Sequence, residues 1–158
     1  MAILDDERRL NAVKFISKKD SAIDWELSDR KAYEEDIIKN ADKLVMKKDQ
    51  VPTIFLLNME LSARDDAMIK NAQVSGVDDD KQPKISMGSW AYTVCKVVLK
   101  DIQNPPGVKG IEMKKDGRGY VTDEVLSRLA RYDIVDEIWA QYLALKGPSD
   151  EVKKEAKN

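Results

Sequence analysis

The chain has 158 residues, 42% of them hydrophobic and 35% charged, which is enough for one domain with a real core and unlike the composition of a disordered chain. Its formal net charge is -2, so no global field draws it to nucleic acid or an anionic membrane, and no apolar run approaches the length of a membrane span. Histidine is absent and Cys95 is the single cysteine, which excludes an intrachain disulfide, the commonest neutral-pH general base and every Ser-His or Cys-His nucleophile pair.

The opening residues "MAILDDERRL" lack the basic-then-apolar order of a secretion signal, so the expected location is the cytoplasm. Ile3, Leu4, Leu10, Val13 and Phe15 are apolar among charges and predict a short helix near 5–12, inside a mobile leading segment of about residues 1–20. Trp25, Leu27, Tyr33, Ile37, Ile38 and Ala41 fall partly at helical spacing. Ser28 or Asp29 is placed to cap a helix running to about Lys43, with acidic residues early and lysine late. Leu44–Met46 and Thr53–Asn58 then flank a polar link, 47–52, and predict a hairpin. Phe55 and Leu57 point one way from the second strand and Ile54 and Leu56 the other, which predicts cover on both faces.

Ser62 predicts the cap of a helix ending near Ala72, with Asp65 in the place of a capping-box acid. "QVSGVDDDKQPK" reads as an acidic loop containing Asp78, Asp79 and Asp80. In "SMGSWAYTVCKVVLKDIQN" the residues Trp90, Ala91, Val94, Cys95, Val98, Leu99 and Ile102 form one wide helical stripe, with Cys95 as a buried hydrophobe, until Pro105 and Pro106 end it.

"KKDGRGYVTDEV" has the look of a calcium loop. With Asp116 and Gly119 at the third and sixth positions, Lys114, Arg118 and Val125 occupy the first, fifth and twelfth, so two ligand positions carry cations and the bidentate carboxylate is missing. The stretch predicts a tight glycine turn leading to a helix capped by Thr122. Two helices follow, about 123–131 and 134–146, because the apolar stripe changes phase across Tyr132 and Asp133; Asp133 is the expected cap of the second. Gly147 and Pro148 stop it, and a polar tail covers about 148–158. The fold class is therefore mostly α with a small β-hairpin (α+β), a compact single domain over 1–158 with one two- or three-stranded antiparallel element.

The segment "YEEDIIKNADKLVMKKDQVPTIFLLNMELSARDDAMI" resembles the first half of tail assembly chaperones of long-tailed bacteriophages, through Val51, Pro52, Thr53, Phe55, Leu61, Ser62, Arg64 and Asp65. The segment from Val121 to Asn158 is similar to their second half. The resemblance implies a non-enzymatic protein of the bacterial host cytoplasm. Such a protein keeps a tape-measure-like helical partner soluble during virion assembly and is able to self-associate. It implies no cofactor, no metal and no catalytic residue, with apolar surface offered to amphipathic helices. Trp25, Phe55, Trp139 and Tyr142 are the candidates for that surface, each weighed against a place in the core. Two alternatives stand beside it: another helical adaptor, or a cation-binding module or small metal-dependent enzyme drawing on Asp78–Asp80, Asp116 and Glu112.

Overall fold

A computed structural model of the chain describes residues 12–77, 83–85, 87–108 and 110–146. Its centre is a three-stranded antiparallel sheet of β1 (Ala12–Phe15), β2 (Ile54–Asn58) and β5 (Leu99–Gln103), with β2 in the middle. A separate antiparallel pair, β3 (Val74–Val77) and β4 (Pro83–Ile85), stands where the sequence predicts a loop. Among the described residues six α-helices complete the fold: α1 (Arg30–Glu35), α2 (Ile37–Asn40), α3 (Ala63–Ala72), α4 (Met87–Val98), α5 (Asp123–Arg131) and α6 (Ile134–Lys146). This is the α+β class that the sequence predicts.

Register explains which residues form the core. Phe15 faces Phe55, and Phe55 faces Ile102; Val13 faces Leu57, and Leu57 faces Leu99. Cross-strand partners share a face, so one side of the sheet carries Val13, Phe15, Phe55, Leu57, Leu99 and Ile102. That side joins Val94, Cys95 and Val98 of α4, Leu126 and Leu129 of α5, and Val135 and Ile138 of α6 in one buried cluster. The other side sets Lys14, Leu56 and Asp101 in a row, with Ile54 and Leu56 half-buried. β2 is thus fully covered on one face only, where the sequence predicts cover on both.

Four local expectations change. The predicted partner of β2, Leu44–Met46, does not pair with it: Met46 bridges Ile23 instead, and β2 takes its neighbours from β1 and β5. From Ala12 onward the expected mobile lead is the edge strand of the central sheet, while the helix predicted near 5–12 falls almost wholly outside the described residues. The predicted helix from Ser28 or Asp29 to Lys43 is broken at Asp36, whose φ of -149° and ψ of 87° are not helical. Asp29 caps the first piece through the Ala32 amide, and Asp36 caps the second through the Lys39 amide. Asn40 Nδ2 donates to the carbonyls of Ala32 and Asp36, each of which also accepts a backbone amide, and so ties the second piece back to the first.

The fourth change has a clear geometric cause. The stripe read as one helix stops at Val98, and Leu99–Gln103 is strand β5. Leu99 and Ile102 are three apart, a spacing that mimics a helix face and in a regular strand puts side chains on opposite sides. Here Leu57 faces Leu99 while Leu56 faces Asp101, so β5 advances two residues against one of β2. This β-bulge returns Ile102 to the same face as Leu99.

The remaining helices follow their sequence signals. Ser62 accepts the Asp65 amide at 3.1 Å, and α3 ends at Ala72. The 114–122 stretch is a miniature turn: Asp116 accepts the amides of Arg118 and Tyr120, Gly119 sits at φ +86°, and Lys115 bridges Val121. Thr122 occupies the N-cap position of α5, yet its hydroxyl makes no cap bond and is buried without a partner. Asp133 caps α6 through its backbone carbonyl, with φ at 60°; its side chain goes to Lys19. The predicted stop and tail, 147–158, lie outside the described residues.

A candidate docking groove

Four chain segments meet at one end of the sheet. The turn after β1 is fixed by Asp20, whose carboxylate accepts the Ala22 amide and the Thr53 amide, each at 2.9 Å. Thr53 Oγ1 in turn donates to the Asn104 carbonyl at 2.8 Å, and Asn104 Nδ2 reaches the Pro52 carbonyl at 3.4 Å. Asn104 takes a left-handed φ of 53°, which turns the chain sharply before Pro105 and Pro106. The α5–α6 junction closes the ring.

Between these segments lies a half-open groove of about 670 Å³. Phe55 and Ile111 form part of its lining and are themselves buried; Val51, Val108 and Tyr132 stand at its rim. Among the described residues seven large hydrophobic side chains are exposed, and three of them are these: Val51 at 67%, Tyr132 at 47% and Val108 at 41%. Isolated exposed apolar residues need no explanation, but three gathered around one concavity, with two prolines beside them, mark a surface suited to a partner. Backbone polar groups lost to the prolines leave that wall with few donors.

The four residues singled out from the sequence are not brought together. Phe55 lines the groove from beneath and is 1% exposed, so it shapes the floor and offers little contact area. Tyr142 is buried in the core. Trp25 is half-buried against Tyr33, ring centroids 5.7 Å apart, with the Arg30 guanidinium 5.2 Å above it. Trp139 is half-buried in an edge-to-face contact with Trp90 at 5.3 Å, and both indole N–H groups are buried without an acceptor. Apolar packing, against each other and against the core cluster, holds that pair. The rim residues Val51, Val108 and Tyr132 are not among the surface candidates the sequence offers, because each stands beside turn signals: Val51 before Pro52, Val108 after Gly107, Tyr132 at the phase change. An apolar residue inside a turn cluster is the signal that was there to be used.

For metal chemistry the acidic residues are differently employed. Asp116 accepts two turn amides on its Oδ1, and those bonds, that of Arg118 first, hold its carboxyl below the usual range. Glu112 is exposed. Asp78–Asp80 lie outside the described residues, and among those described no three acidic or cysteine side chains are grouped to hold an ion. Cys95 is wholly buried and burial pushes its thiol up to about 12, so it is a packing residue at neutral pH. No described helix is long and apolar enough to cross a membrane.

The neighbourhood of the groove also holds a half-buried carboxylate, Glu137, on the first turn of α6. Ser17 Oγ donates to its Oε1 at 3.0 Å, and beside it Lys19 Nζ meets Asp133 at 2.8 Å. Tyr33 closes the back of this cluster by donating its hydroxyl to the Ile16 carbonyl. No protein-family model, no curated protein and no solved structure matches the chain.

Proposed function

We propose that the protein is a non-enzymatic assembly chaperone of the tail-assembly type, acting in a bacterial host cytoplasm, and that its groove receives the apolar stripe of a long amphipathic helix. The observation that carries the reading is the gathering of Val51, Val108 and Tyr132 around one concavity walled by Pro105 and Pro106. A helix in a groove presents side chains at i, i+3 or i+4 and i+7, and about 670 Å³ admits several such side chains and not merely one. The sequence likeness through Val51, Pro52, Thr53 and Phe55 falls on residues of the same groove, since Val51, Thr53 and Phe55 line it. A partner helix that would aggregate alone gains most from such cover, because the hydrophobic gain scales with apolar area removed from water.

The test is co-expression with a long amphipathic helical protein that aggregates when expressed alone. The wild-type protein should hold such a partner in the soluble fraction, and the Val51→Asp/Tyr132→Asp double variant should not. Both residues are exposed, so the substitutions leave the core intact. A partner kept equally soluble by the folded double variant would remove the groove from consideration.

A further inference from the structure

The groove has two sides that are tied to each other. Ser17, Lys19 and Asp20 of the turn after β1 line one side, and Tyr132 and Ile134 of the α5–α6 junction line another. Two side-chain contacts join these segments, Ser17 to Glu137 and Lys19 to Asp133. The contacts differ in kind. Lys19 and Asp133 are 55% and 65% exposed, so water and salt weaken their attraction. Glu137 lies deeper, and its Oε2 is out of reach of solvent and has no hydrogen-bond partner.

One oxygen of this carboxyl is therefore served by Ser17 and the other by nothing. A neutral carboxyl tolerates such a site at modest cost; an ionised one loses hydration and receives one hydroxyl in return. The groups around it do not make up the difference. Lys18 and Lys19, on the facing turn, attract the carboxylate, and the Lys18 amide faces it outside good hydrogen-bond geometry. The Tyr33 phenol on α1 feels the Glu137 and Asp20 charges. Asp20 commits both oxygens to the amides of Ala22 and Thr53. On α6 itself, Asp133 is engaged with Lys19. Burial accordingly pushes the Glu137 carboxyl above its ordinary 4.5, with the Ser17 hydroxyl and the Lys19 and Lys18 charges drawing it part of the way back.

We propose that the Ser17–Glu137 contact is a proton-operated latch on the groove, closed while Glu137 is neutral and loosened when Glu137 ionises and draws water to its unpartnered oxygen. Loosening leaves the Ser17 side joined to α6 through the exposed Lys19–Asp133 pair, while Asp20 stays tied to the Ala22 and Thr53 amides; the bonds nearest the latch are the Lys19 amide on Ser17 Oγ and the Asp20 amide on the Ser17 carbonyl. The groove then widens as pH rises, and its occupancy becomes dependent on proton concentration. The latch acquires its importance from the docking reading above, but it is measurable on the free protein.

The experiment is an NMR titration of the Glu137 side-chain carboxyl in the whole chain from about pH 3 to about pH 8, with hydrogen exchange of the Lys19 and Asp20 amides corrected for intrinsic rates. The Glu137 midpoint is expected above 4.5. The opening constant of the two amides should rise through that midpoint and level off at about tenfold for each pH unit by which the midpoint exceeds the ordinary value. Glu137→Gln should abolish the step, and Ser17→Ala, which removes the hydroxyl that favours the anion, should move the midpoint higher. A wild-type midpoint at or below 4.5, or an exchange step that survives in Glu137→Gln, overturns the latch. The decisive titration is on the wild-type chain, so a variant that fails to fold does not blur the outcome. No partner is involved, so a failed latch leaves the docking proposal standing, and failed partner shielding leaves the latch result intact.

Discussion

Leu56 and Leu57 are adjacent on the central strand, and replacing each by alanine should have very different consequences. Leu57 is 0% exposed and faces Val13 on one neighbour and Leu99 on the other. Leucine to alanine removes three carbons, about 2.4 kcal/mol at ~0.8 kcal/mol for each buried methylene. The cavity left in a packed core adds to this, so a total of about 3–4 kcal/mol is expected. Leu56 is half-buried between Lys14 and Asp101. It keeps part of its surface in water when folded and leaves no closed cavity, so its replacement should cost about 1 kcal/mol. Urea denaturation of the two variants gives both values at unchanged m. For a chain of this size the corresponding falls in Tm are about 6–16 °C and about 2–4 °C. Equal losses would refute the one-sided cover of the sheet and would restore the sequence expectation that both faces of β2 are buried.

Ser62→Ala should destabilise the protein by about 1 kcal/mol in the same assay, because the amide of Asp65 loses its acceptor, while Ser62→Gly should cost less. Cys95 should resist thiol reagents in the folded protein at neutral pH and react at the rate of global unfolding, which stopped-flow labelling across a urea series measures; fast labelling of the native chain would contradict its burial. Glu137 has a raised folded-state pKa, so the stability it contributes is full below 4.5 and lost as pH rises through the folded value. Glu137→Gln should therefore gain on the wild type as pH rises from about 4 to about 8, as thermal melts across that range would show. Asp116 behaves with the opposite sign: its carboxyl is lowered by the amides of Arg118 and Tyr120, so its contribution is present above 3.8 and lost as pH falls through the folded value. Asp116→Ala should remove that acid-side loss and increase exchange of those two amides.

Legibility of the groove was uneven for physical reasons. The strand read at Thr53–Asn58 is present as Ile54–Asn58, and three groove residues, Val51, Thr53 and Phe55, stand inside the stretch that carries the family likeness. The side of the groove formed by Ser17, Lys19 and Asp20 was invisible, because a hydroxyl and an aspartate in a polar turn look the same whether they face water or a distant helix. Ser17 and Glu137 are 120 residues apart, and no local pattern couples such positions. Trp139 and Tyr142 are legible as large apolar groups on one helix, each with a place in the core weighed against exposure, but amphipathic periodicity marks a face without naming what covers it.

The sequence by itself determined the elements whose signals are local. Ser62 and Asp29 start helices because a side-chain oxygen three residues before an amide satisfies it wherever the chain goes. The break at Tyr132 and Asp133 was likewise fixed by a change of phase within ten residues, and α5 and α6 have the predicted bounds. Only the tertiary structure decided strand partnership and the fate of 99–103. A strand's backbone bonds lie in another part of the chain, so Ala12–Phe15 and Leu99–Gln103 became strands by finding β2, and a single bulge let a helix-like spacing serve a sheet face. Helical hydrogen bonds close within four residues and are written locally; sheet bonds and groove walls depend on segments far apart in sequence, and folding alone brings those together.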